Sequence, residues 1–181
     1  MSNAERYNRT AIFLHWLIAL GILGTLALGF YMVDLPLSPN KLQVYAWHKW
    51  AGISILVLSI VRLAWRLSHP APALPADMSP MLRLAAHAGH WILYALMLAI
   101  PMSGWLMSSA QGFTVVWFGV ITLPDLVPQN VELGALLRTV HIVLNWSLIL
   151  TLVGHIGAAL HHHLIKKDEV MRRMLPQLSQ R

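Results

Sequence analysis

The sequence predicts an all-α fold, a four-helix bundle integral to a membrane, and three observations carry that prediction. First, 57% of the 181 residues are apolar and only 11% are charged, against about a quarter charged in a soluble domain. A chain so poor in charge cannot cover itself with a solvated surface, so lipid suits it better than water. Second, four stretches reach the roughly 20 apolar residues that a helix needs to cross a hydrocarbon core. Third, no alternating pattern is long enough for the strands of a membrane barrel, which leaves helices to satisfy the backbone inside lipid.

The spans follow in order along what reads as a single membrane domain, residues 1–181. The first covers residues 11–33; it is too long, and lacks the small-residue cleavage site, to be a secretory signal peptide. Pro36 and Pro39 break the chain after it. The second covers 42–67 and leads into a stiff link from His69 to Pro80 that also holds Pro70, Pro72 and Pro75. The third covers 84–107 and the fourth 136–165, with a long outer loop, 108–133, between them. Inside that loop Phe113 to Leu123 is apolar but too short to span. It is predicted to lie along the interface, with Trp117 and Phe118 as aromatic anchors.

The formal charge of +6 is not a nucleic-acid patch, because the basic residues gather just outside the apolar spans. Arg6, Arg9, Arg66, Arg83, Lys166, Lys167, Arg172, Arg173 and Arg181 fall on the side of the two termini. Lys41, Lys49 and Arg138 fall on the other. Cytoplasmic loops carry the excess of lysine and arginine, so nine against three predicts cytoplasmic termini.

Cysteine is absent, which removes disulfides, thiolate-held iron–sulfur clusters and covalent attachment of a c-type haem. Histidine is abundant, with ten in all, most of them inside apolar runs where an unpartnered polar ring is costly. His141 and His155 lie fourteen residues apart on the fourth span. In a helix that places them about 21 Å apart along the axis and within about 40° of one face. One helix thus offers an imidazole near each side of the membrane, the arrangement that two stacked metal centres need. By depth, His15 on the first span suits His155, and His48 on the second suits His141. Haem iron held by two histidines is a common low-spin site whose porphyrin fills the space between helices. Zinc fits less well, since it favours four ligands and no thiolate is present. A single membrane histidine is more often a helix–helix hydrogen bond; four at matching depths favour ligands.

Other groups leave alternatives open. His87 and His90 share a face of the third span, where either could compete with His15 for an iron, hold a haem propionate or line a quinone pocket. Arg62 lies one turn deeper than Arg66; Arg66 reads as snorkelling to the headgroups and Arg62 as a propionate partner. His161, His162 and His163, with Lys166, Lys167 and Asp168, close the fourth span as either plain interfacial solvation or a proton-donating quinone site. Gly52, Gly104 and Gly154 allow a helix or a porphyrin to come close.

Taken together, Leu14-His15-Trp16-Leu17, the run from His48 to Ser54, Ala86-His87-Ala88-Gly89-His90, Val140-His141 and Gly154-His155 leading to His162-His163 resemble the bacterial cytochrome b561 family over nearly the whole chain. The resemblance implies an inner-membrane protein in which His15, His48, His141 and His155 ligate two haems b, and it favours His15 over His87 and His90. Short stand-alone members include a superoxide oxidase, similar in length, in Trp117-Phe118-Gly119 of the outer loop, and in an ending like His162-His163 with Lys167-Asp168. That likeness implies transfer of electrons from periplasmic superoxide to ubiquinone. Lys49 and Arg138 would draw in the anion, and His87, His162, His163 or Lys167 would supply protons to the quinone. Other relatives are membrane subunits that relay electrons between quinone and a partner redox protein such as a hydrogenase or dehydrogenase.

Overall fold

The computed structural model describes residues 6–75 and 78–176. Arg181, one of the basic residues used above for orientation, lies outside them, as do two residues of the proline-rich link. Four long helices dominate: α1 (Arg9–Asp34), α2 (Pro39–Ser68), α3 (Pro80–Ala110) and α4 (Val131–His161). Each is long and apolar enough to cross a membrane.

Each helix starts at a residue whose side chain accepts from a first-turn N–H: Asn8, Ser38, Ser79 and Asn130. Such caps satisfy donors that a helix leaves unpaired. Pro39 and Pro80 follow two of them at the first helical position, where proline loses no hydrogen bond. The helices end as locally. Pro36 and Pro70 forbid continuation of α1 and α2, and Gly112, at φ +77°, turns the chain after α3. The fourth helix loosens instead into a π-helical turn, His162–Lys166, and stops at Lys167 in the left-handed region.

Close helix contacts run α1 to α2, α2 to α3 and α3 to α4, while α4 stands off from α1 and α2. The middle of the bundle is an apolar plug of Ile18, Ile22, Ile55, Leu93, Leu96 and Leu148. The two ends on either side of it differ. At the terminal end, the segment after α4 folds back over α1. Arg6 donates to the carbonyls of Arg172 and Leu175, Trp16 Nε1–H to that of Met174 at 2.8 Å, and Arg173 to that of Ala73.

At the loop end, the chain between α3 and α4 departs from a purely helical fold. Val116–Trp117 (β1) and Ile121–Thr122 (β2) form a small antiparallel hairpin with Trp117 opposite Ile121. The apolar segment of this loop is therefore a hairpin, and its indoles tie it to α2. Trp117 Nε1–H donates to Trp50 O at 3.3 Å and Ser54 Oγ at 3.2 Å, and Trp50 Nε1–H donates back to Val116 O. These indole N–H groups bolt the hairpin to α2, where unpaired they would be costly; only Phe118 keeps the exposed position expected of an anchor.

Candidate functional site

The structure brings the four interior histidines together in two pairs. At the terminal end, the rings of His15 on α1 and His155 on α4 have centroids 6.3 Å apart. At the loop end, those of His48 on α2 and His141 on α4 are 6.4 Å apart. A first-row metal sits about 2 Å from an imidazole nitrogen and the ring centre about 1 Å beyond, so two rings on opposite sides of one ion stand roughly 6 Å apart. Both pairs have that spacing. Among the described residues, no three His, Asp or Glu side chains are placed to hold a bare metal ion.

The surroundings fit a flat macrocycle. The standoff of α4 leaves a cleft at the loop end lined by apolar Ile22, Leu26, Ile55 and Leu96 around His48, Gly52 and His141. A Cβ added to Gly52 or to Gly154 would meet nothing within 4 Å. The donors are also prepared. His48 Nδ1–H donates to Thr25 O at 3.1 Å and His141 Nδ1–H to Ile100 O at 3.1 Å. A carbonyl can only accept, so Nδ1 carries the proton and Nε2 keeps its lone pair free for a metal. Ser103 Oγ–H donates to the same Ile100 carbonyl, so its oxygen accepts from His141 at 3.0 Å.

At the terminal end a third imidazole joins the pair. The His90 ring lies 5.7 Å from that of His155, whereas His87, one turn away, is exposed. Arg62 reaches inward, its Nε donating to Tyr94 Oη at 3.2 Å and its Nη1 to Ala11 O at 3.3 Å. It lies within electrostatic reach of His15, His90 and His155. Arg66 stacks over the Tyr94 ring at 5.8 Å. Trp16 packs edge-on against His15 with centroids 5.3 Å apart, so its bond to Met174 links the folded-back segment to this pair. Of the cations at the loop end, Lys49 approaches Ser108 Oγ at 3.4 Å, and Arg138 lines a groove with Gln111 and Gln129.

Past α4, His162 Nδ1 is bonded to the Asp168 carboxylate; His163 and Lys167 fall between the two in the sequence. Sequence reasoning named both members of the pair without joining them, because the π-helical turn that brings them together has no sequence signature. Loss of water works against the Asp168 carboxylate, but the His162 hydrogen bond, the Val170 N–H and the charges of His162 and Arg173 outweigh it. Its carboxyl is held below the usual range. A depressed carboxylate adds stability above its unfolded value of about 4 that is lost as the pH falls through its lowered one. Asp168→Asn should therefore lower Tm at neutral pH and lose part of the acid-induced decline below about pH 4, measured by thermal melts in detergent. Equal melting curves at every pH would deny the pair any role in holding the segment.

Known proteins resemble the chain over nearly its whole length. The sequence profile described as prokaryotic cytochrome b561 matches residues 6–177. The chain is 39% identical over 180 residues to cytochrome b561 homolog 2 of Escherichia coli (strain K12), covering 97% of this chain and 94% of that one. It is 31% identical over 176 residues to the probable superoxide oxidase CybB of Yersinia pestis, covering 96% and 97% of the two chains. To cytochrome b561 homolog 1 of Escherichia coli (strain K12) it is 31% identical over 179 residues, covering 96% and 98%. A bacterial chain with four membrane-crossing helices, paired interior imidazoles and these relatives belongs to the prokaryotic cytochrome b561 family, membrane electron-transfer proteins that bind haem b.

Proposed function

We propose that this protein holds two haems b and passes electrons from superoxide to ubiquinone across the bacterial inner membrane, with both termini cytoplasmic. The observation that carries the two-haem reading is the two imidazole couples, with ring centres 6.3 Å and 6.4 Å apart, one toward each end of α4. His48 and His141 would hold the outer iron and His15 and His155 the inner one. Haem so held would supply one-electron transfer. The choice of superoxide rests on the relative named a probable superoxide oxidase.

The chain's own residues then have separate tasks. Lys49, next to His48, and Arg138, one turn before His141, place positive charge at the outer end, where it raises the encounter rate of an anion. Each superoxide gives up one electron and leaves as oxygen. Two such electrons and two protons convert ubiquinone to ubiquinol at the cytoplasmic end. His87, His162, His163 and Lys167 are the groups there that can hold and deliver protons. Arg62 and His90, turned inward beside His15 and His155, suit the propionates of the inner haem.

Purified protein in detergent, given a superoxide source and a ubiquinone analogue, should reduce the quinone and develop a b-type reduced band. Superoxide dismutase should suppress both. Quinone reduction indifferent to the dismutase would leave an electron relay to a partner redox protein as the function.

A further inference from the structure

The two histidine pairs differ in how their rings are held, and the difference repeats itself within one pair. His48 donates Nδ1–H to the carbonyl of Thr25 and lies against Gly29, four residues further along α1. His141 donates Nδ1–H to the carbonyl of Ile100 and lies against Gly104, four residues further along α3. In each case a Cβ on the glycine would come within 3.2 Å of the ring's Cε1, tighter than ordinary packing. Each glycine is thus what allows an imidazole to reach the helix backbone. Unrelated helices supply the same cradle twice, to both rings of one site. At the terminal end, by contrast, no protein group among the described residues accepts a hydrogen bond from His15 or His155.

A hydrogen bond from the far nitrogen of a ligating imidazole makes the ring more basic. A more basic ligand donates more charge to iron and favours its oxidised form, which lowers the reduction potential. The Arg62 guanidinium acts in the same sense from the other end, since a nearby cation favours the reduced form there. Lys49 and Arg138 work against the difference as nearby charges, whereas the two fixed carbonyls and Ser103 Oγ act on the ligating rings themselves.

We infer that the Thr25–Gly29 and Ile100–Gly104 cradles hold the loop-end site at the lower of the two reduction potentials, which directs electrons from that end toward the terminal end. The inference rests on the two-haem reading, and the residues named are positioning residues that act through His48 and His141.

Redox titration of the haem-loaded protein, followed by absorbance, tests it, with His155→Ala identifying the loop-end component. Gly29→Ala and Gly104→Ala should each move the lower midpoint upward, toward the other. Ser103→Ala should do so by a smaller amount with haem content intact. Gly24→Ala, where a Cβ meets nothing within 4 Å, should move neither. If the glycine variants lose the loop-end haem, Ser103→Ala decides. A lower midpoint unmoved while both haems are retained, or a shift confined to the higher one, would overturn the inference and leave the two-haem reading standing. Fewer than two haems in the unaltered protein would remove both.

Discussion

Replacing His141 with alanine should remove one of the two proposed haems and leave the other with an unchanged spectrum and midpoint. His141 carries a ring whose partner, His48, reaches it from a different helix at 6.4 Å, and among the described residues no other histidine ring lies against either. No third ring is therefore at hand to replace the lost one, and a single axial imidazole holds haem far less well than two. His48→Ala should give the same result. The terminal end is less brittle, because His90 already lies 5.7 Å from His155. His155→Ala should abolish the terminal-end haem, whereas His15→Ala leaves a ring positioned to substitute. Pyridine haemochrome content with a reduced-minus-oxidised spectrum checks all four variants. Loss of the terminal-end haem from His141→Ala would break the assignment of pairs. Since bound haem also stabilises the folded chain by mass action, each variant should be compared at matched folded fraction.

Lys49→Glu should lower the rate of superoxide-driven reduction by about tenfold or more at low ionic strength, in the lower part of the range that charge steering commands. Lys49 is partly buried beside His48, with Ser108 Oγ as its recorded partner, so its field is less screened than that of a surface lysine. The difference between variant and parent should shrink as salt is raised and the Debye length falls to about 3 Å at 1 M. Electron delivery from a neutral artificial reductant should be unaffected. A loss that is salt-independent, or equal for a neutral donor, would mean that Lys49 acts on the local structure rather than on the anion.

The legible part of the molecule is the part written in helical periodicity. Apolar runs located all four helices, and the fourteen-residue interval from His141 to His155 put two imidazoles on one face before any neighbour was known. Depth alone matched His15 to His155 and His48 to His141, and the structure places those rings together. What stayed hidden depends on contacts across the chain. Gly104 is visible as a small residue, but nothing in the sequence ties it to the His141 ring or Gly29 to the His48 ring. The hairpin at Val116–Thr122 is too short for alternation to register, and the docking of Trp117 on α2 depends on a neighbour far away in the sequence. The bond from Trp16 to Met174 spans nearly the whole chain, beyond the reach of any local pattern.

The apolar plug between the histidine pairs has an electrical consequence. Ile18, Ile22, Ile55, Leu93, Leu96 and Leu148 carry no titratable group, so an electron crossing this layer finds no acid or base among them to move a compensating proton. On the proposed orientation each electron carries negative charge toward the negative side of an energised membrane. About 21 Å of helix is most of a hydrocarbon thickness of about 30 Å. The voltage therefore opposes transfer by a large share of the roughly 2.3 kcal/mol per 100 mV that a full crossing carries. Turnover in sealed vesicles should accordingly rise when the membrane potential is collapsed, which makes the plug a voltage-sensing resistor in series with the chemistry at either end.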